Sequence, residues 1–98
     1  MQTVLAIDDS PDIHALLKVR LREEPFELLR ADGAHEGLEM ARSLRPDLIL
    51  LDVEMPELTG IEVCRILKNA TETADISIIF LSGATEVTDK ATGLEVGA

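Results

Sequence analysis

An α/β domain with a doubly wound parallel sheet is the architecture that the sequence predicts, and three observations carry the prediction. Short apolar runs alternate with stretches of helical periodicity in the order β-α-β-α-β-α-β-α. The runs are continuously apolar, as strands covered by helices on both faces must be. Three of them end in oxygen-bearing side chains, at Asp8 and Asp9, at Asp52 and at Ser82. In an open parallel sheet, the carboxyl ends of the strands are where a binding crevice forms.

The first strand is the run Thr3 to Ile7, closed by the acidic pair Asp8 and Asp9. Ser10 is placed to cap the next helix, and Pro11 takes its first position, where a missing N–H costs nothing. Ile13, Leu16, Leu17 and Leu21 form an apolar stripe that predicts a helix from Pro11 to about Glu23. Pro25 breaks it, and Phe26 to Ala31 is the second strand, followed by a turn at Asp32 and Gly33. Ala34, Gly37, Leu38 and Ala41 recur at helical spacing up to Leu44, and Arg45 and Pro46 close this second helix. Leu48 to Asp52 is the third strand. Thr59 or Gly60 opens a third helix through about Asn69, with Ile61, Val63, Cys64, Ile66 and Leu67 as a broad apolar face in which Cys64 is a small core residue. A polar loop from Thr71 to Asp75 leads to the fourth strand, Ile76 to Leu81, which Ser82 and Gly83 terminate. Val87, Ala91, Leu94 and Ala98 then space a fourth helix.

Composition narrows the function classes. The 98 residues suit one domain, and 46% of them are apolar with Phe26 and Phe80 as the only aromatics, so the core must be aliphatic. Nine basic residues against 19 acidic ones give a net charge of −10, which repels nucleic acid and anionic membrane. A single cysteine excludes an internal disulfide and a cysteine-rich metal site, and it fits a reducing compartment. The first residues lack a basic region, and no apolar run approaches membrane-spanning length. The chain is therefore expected to be cytoplasmic, with neither membrane nor nucleic acid as a direct partner.

If the sheet order is 2-1-3-4, the first and third strands are neighbours with the switch point between them, and Asp8, Asp9 and Asp52 would then converge on one crevice. Three carboxylates at that distance raise one another's pKa and strain the empty fold. A hard divalent cation relieves the strain, and Mg²⁺ suits because it takes oxygen ligands and accepts one or two carboxylates beside a phosphoryl oxygen. An aspartate next to such a cation can act as a nucleophile toward phosphorus. Ser82 can hydrogen-bond the resulting phosphoryl oxygens. The plainer alternative is that Asp52 starts a turn punctuated by Pro56 and Gly60, and that Ser82 merely ends a strand.

The pair Asp8-Asp9 in Ile-Asp-Asp-Ser, the run Leu-Leu-Asp-Val-Glu-Met-Pro-Glu-Leu-Thr-Gly and the segment Phe-Leu-Ser-Gly-Ala together resemble the receiver domain of two-component response regulators, over the whole chain. The resemblance implies a flavodoxin-like fold. It also implies that Asp52 accepts a phosphoryl group from a sensor histidine kinase or phosphotransfer protein. Asp9 and Asp52 would hold Mg²⁺ together with the backbone carbonyl of Glu54, while Asp8 would support the metal through water. Ser82 would be the switch hydroxyl, and Pro56 and Gly60 would shape the acceptor loop. The sequence departs from the family pattern in stopping before the fifth strand, the lysine at its end and the fifth helix. Lys18, Lys68 and Lys90 all fall on predicted helices and do not take that lysine's role. Without the fifth strand, the fourth becomes an edge where a second copy is expected to associate.

Two other classes stay open. One is a scaffold or dimerisation module that keeps the receiver shape without switching. The other is an aspartate-nucleophile phosphohydrolase, with Glu54 as a second carboxylate two residues past Asp52; the sequence offers neither a lysine nor a cap segment for it. His14 and His35 fall on predicted helices with no second histidine at ligand spacing, and are expected to face solvent or to be partly packed.

Overall fold

The structure, a computed structural model, describes residues 2–81. Within them the chain forms β1 (Gln2–Ile7), α1 (Pro11–Arg20), β2 (Phe26–Ala31), α2 (Ala34–Leu44), β3 (Leu48–Asp52), α3 (Gly60–Asn69) and β4 (Ser77–Leu81). The strands make one parallel sheet in the order β2-β1-β3-β4, as the sequence predicts. Ser82, Gly83 and the expected fourth helix lie outside the described residues.

Alternation along the strands divides the core into two layers. Leu5 and Ile7 of β1, Ile49 and Leu51 of β3 and Ile78 of β4 pack with Ala34, Leu38 and Ala41 of α2 and with Val63, Cys64 and Leu67 of α3. On the other face Val4, Ala6 and Leu50 are buried, with Leu17 and Leu21 of α1 partly buried against them. Gly37 lets α2 approach the sheet: a Cβ there would lie 2.6 Å from the side chain of Ile7.

Helix α3 starts with a reciprocal cap. The Thr59 hydroxyl accepts from the Glu62 N–H at 3.2 Å, and the Glu62 carboxylate accepts from the Thr59 N–H at 2.9 Å. The loop after α3 is tied down by Lys68, whose Nζ donates to the carbonyls of Ala74 and Ile76 at 3.1 and 2.8 Å. The Thr73 hydroxyl donates to Leu67 O at 2.6 Å.

Helix α1 departs from its expected form. It ends at Arg20, with Leu21 as its cap, and not near Glu23, because a turn closes through the Glu24 N–H on Leu21 O. Ser10 stands at the N-cap in an extended conformation but makes no side-chain cap hydrogen bond. The expected stripe is only partly covered: Leu16 is 48% exposed, and the one buried residue of the helix is His14. Among the described residues α1 is the only helix packed on its face.

Candidate functional site

Strand register places the site. Ile7 pairs with Leu51 across β1 and β3, so the next residue of each, Asp8 and Asp52, emerges at the same rim. Sheet hydrogen bonding continues past both strand ends: the Asp8 N–H donates to Ala31 O of β2 at 3.2 Å, and the Val53 N–H donates to Leu81 O of β4 at 3.3 Å. The Asp8 carboxylate also accepts from the Ser10 N–H at 2.8 Å. Ser10, expected only as the cap of α1, thus also holds the site through its backbone N–H.

The structure brings Asp8, Asp9 and Asp52 together, each offering a carboxylate oxygen, with all these atoms within 4.8 Å of one another. Asp8 is buried, Asp52 half-buried and Asp9 exposed. Burial pushes the Asp52 carboxyl up to about 6, and the charge of Asp8 pushes in the same direction. The backbone N–H groups of Glu54 and Val53, which hydrogen-bond the carboxylate, partly offset this. Burial also raises Asp8, opposed by the Ser10 N–H and reinforced by the charge of Asp9. A site that holds three carboxylates against their mutual repulsion, with oxygen as its only donor type, fits a hard divalent cation such as Mg²⁺.

Gly60 explains the shape of the acceptor-side loop. Its N–H donates to Val53 O at 2.7 Å, and a Cβ at this position would overlap the Asp52 carbonyl and stand 2.9 Å from the Val53 Cα. The start of α3 therefore rests directly on the backbone of Asp52, which only glycine permits. Glu54 is exposed, and the contact the structure gives it with the site is its N–H on Asp52. Ser82 lies outside the described residues.

His14 is buried more deeply than the solvent-facing or partly packed position expected of it: it is 5% exposed, with Nε2 2.8 Å from the Asp8 carbonyl oxygen and 3.7 Å from Asp32 Oδ1. The available signal was its spacing, because Leu17 and Leu21 follow it at i+3 and i+7, which puts His14 on the sheet-facing side of α1. His35 is exposed, in line with expectation. Cys64 is buried in the core with its thiol pKa raised by burial, as suits a packing residue.

A family model described as the response regulator receiver domain matches residues 4–98. The chain belongs to that family. The receiver is 37% identical over 97 residues to the DNA-binding response regulator MtrA of Mycolicibacterium smegmatis, covering 99% of this chain and 41% of that protein. It is 35% identical over 98 residues to the DNA-binding dual master transcriptional regulator RpaA of Synechocystis, with coverage of 100% and 41%. The chain thus spans about two fifths of the curated relatives it matches. Among solved structures, chemotaxis protein CheY4 of Vibrio cholerae matches with a TM-score of 0.86 at 33% identity, covering 100% of this chain and 82% of that one. A putative response regulator from Chloroflexus aurantiacus matches with a TM-score of 0.89 at 28% identity, with coverage of 99% and 80%. Among the described residues, no helix of this receiver is long and apolar enough to cross a membrane.

Proposed function

We propose that this receiver is a cytoplasmic phosphoacceptor module of a two-component system, taking a phosphoryl group on Asp52 from a sensor histidine kinase or a phosphotransfer protein. The observation that carries the reading is the convergence of Asp8, Asp9 and Asp52 at one rim of the sheet. A carboxylate oxygen of Asp52 attacks phosphorus as the bond to the donor's imidazole nitrogen breaks. The electron pair returns to the imidazole, and an acyl phosphate is left on Asp52. Asp9, Asp52 and the backbone carbonyl of Glu54 would hold Mg²⁺, with Asp8 supporting it; when bound, the ion supplies positive charge against the transferring phosphoryl group. The N–H groups of Glu54 and Val53 orient the Asp52 carboxylate. Ser82 is the hydroxyl that engages the phosphoryl oxygens in the switched state. The activity is confined to the module's own phosphorylation and dephosphorylation, with no separate substrate.

The names of the matched relatives carry DNA binding. This chain has a net charge of −10 and spans only part of those proteins, so we assign DNA contact to none of its residues. Association of two copies along β4, the edge strand among the described residues, is tested by light scattering across a concentration series.

Intact mass spectrometry with acetyl phosphate decides the main reading. The expected result is a gain of one phosphoryl group that requires Mg²⁺ and disappears in Asp52→Asn. Unchanged mass in the parent protein would leave the scaffold as the function, and turnover of a phosphate ester would point to the phosphohydrolase.

A further inference from the structure

We propose that His14 is a positioning residue of the acidic site, fixing the peptide that joins Asp8 to Asp9; this rests on the reading of that site as a Mg²⁺-assisted phosphoacceptor. A carbonyl oxygen can only accept, so the 2.8 Å contact between Nε2 and Asp8 O makes the histidine the donor and places a hydrogen on Nε2. The contact is buried, where a hydrogen bond is worth most and its loss leaves a carbonyl without a partner.

The geometry gives this bond a specific consequence. Asp8 is held at its N–H by Ala31, at its carboxylate by the Ser10 N–H and at its carbonyl by His14. The first two fix Asp8 itself. The third fixes the plane of the Asp8–Asp9 peptide, because carbonyl and following N–H move as one rigid unit. Asp9 is the exposed member of the cluster and sits at the far end of that plane. Its direction toward Asp52 therefore depends on where His14 holds the carbonyl. His14 touches no reacting atom; it acts through the backbone, as groups behind a metal site commonly do. Burial of His14, in a helix whose other residues stay exposed or half-exposed, marks α1 as the support of this peptide more than as a builder of the core.

The test compares the full chain with His14→Leu, His14→Phe and His14→Gln. The first two remove the donor, and the third places an amide N–H within reach of the same carbonyl. Mg²⁺ affinity by calorimetry, the rate of labelling by acetyl phosphate and the melting temperature are read on each, with Leu67→Ala on the far side of the sheet as a control for stability alone. His14→Leu and His14→Phe are expected to weaken Mg²⁺ binding roughly tenfold, the scale found for groups behind metal ligands, while His14→Gln recovers most of it and Leu67→Ala keeps the parent affinity. Parent-like Mg²⁺ affinity in either donor-less variant overturns the proposal, as does His14→Gln falling with them. An equal loss in Leu67→Ala also overturns it, by showing that affinity follows stability. A parent protein that neither binds Mg²⁺ nor labels would instead remove the phosphoacceptor reading, and this inference with it.

Discussion

The two faces of the sheet are built to different standards. Beneath α2 and α3, Leu5, Ile7, Ile49, Leu51 and Ile78 are sealed by Ala34, Leu38, Ala41, Val63, Cys64 and Leu67, nearly all of them inaccessible to solvent. Under α1 the buried set shrinks to Val4, Ala6 and Leu50, and the helix leaves Leu16 and Val19 at 48% and 59% exposure. The first face buries apolar area and carries the stability of the fold. The second buries a histidine on the backbone of the acidic site. The difference teaches that helices of one small domain can serve separate ends: of the three among the described residues, two close the core and one holds the strand-end peptide.

The largest test of that division is Leu67→Ala. Leu67 is 1% exposed among close-packed neighbours, so truncation leaves a cavity and is expected to cost about 2–5 kcal/mol in urea unfolding. A loss under about 1 kcal/mol, the range of tolerant sites, would show that the α2/α3 face is not the anchor.

Gly60→Ala comes next and probes the contact between the well-packed face and the site. The new methyl overlaps the Asp52 carbonyl, so either α3 or the end of β3 must shift. Overpacking of this kind costs typically about 1–3 kcal/mol. Because the displaced group is the backbone of Asp52, Mg²⁺ binding is expected to fall as well. Gly37→Ala, crowding the side chain of Ile7 on the same face and not the backbone of Asp52, is expected to lose stability with a smaller loss of Mg²⁺ affinity. Equal loss of affinity in both variants would dissolve the distinction.

The same contrast explains what was legible in the sequence. Where a helix buries a wide stripe, spacing read the outcome: Ala34, Leu38 and Ala41, and Val63, Cys64 and Leu67, lie in the core as their periodicity required. The parallel sheet was also legible, since continuous apolar runs imply one and parallel strands present their carboxyl ends together, whereas the order that brings Asp8, Asp9 and Asp52 to one rim came with the resemblance to receiver domains. Helix α1 was less so. Its leucines mark a stripe, but how deeply they are buried depends on what covers the face, which no local pattern records. The cap of α3 carried a readable signature, Thr59 with Glu62 three residues on, that helix spacing alone passes over. The partners of Asp52 were hidden for another reason: the N–H groups of Val53 and Glu54 are backbone donors, aimed by the loop that Gly60 permits, and side-chain identity says nothing of them.

A smaller effect concerns charge at the site. Burial, with the charge of Asp8, pushes the Asp52 carboxyl up to about 6 in the folded chain from an ordinary value of 3.8. Between those values the folded state binds more protons than the unfolded one, so stability falls as pH rises through the window, and the deficit is complete above about pH 6. Allowing for screening at a half-buried group, the deficit is on the order of 1–2 kcal/mol. Without Mg²⁺, the melting temperature is expected to drop from pH 4 to pH 7 in the parent and to stay flatter in Asp52→Asn, which is the more stable of the two at neutral pH. Added Mg²⁺ is expected to reverse the order. Equal pH profiles for both proteins would mean that Asp52 does not feel the burial and the neighbouring charge that the geometry gives it.

The smallest expected effect is the sharpest check on the lightly covered face. Val19 is 59% exposed and lies outside both core clusters, so Val19→Ser removes little buried area and is expected to change stability by no more than about 0.5 kcal/mol. Leu17, three residues past His14 and partly buried against the sheet, supplies the contrast within the same helix. Leu17→Ala is expected to cost more than Val19→Ser but less than Leu67→Ala, because only part of its surface is withdrawn from water. If Val19→Ser instead destabilises the full chain as much as Leu17→Ala does, then the outer side of α1 is buried in solution. Protection of Val19 would then be the first sign that another helix or another protein completes this face.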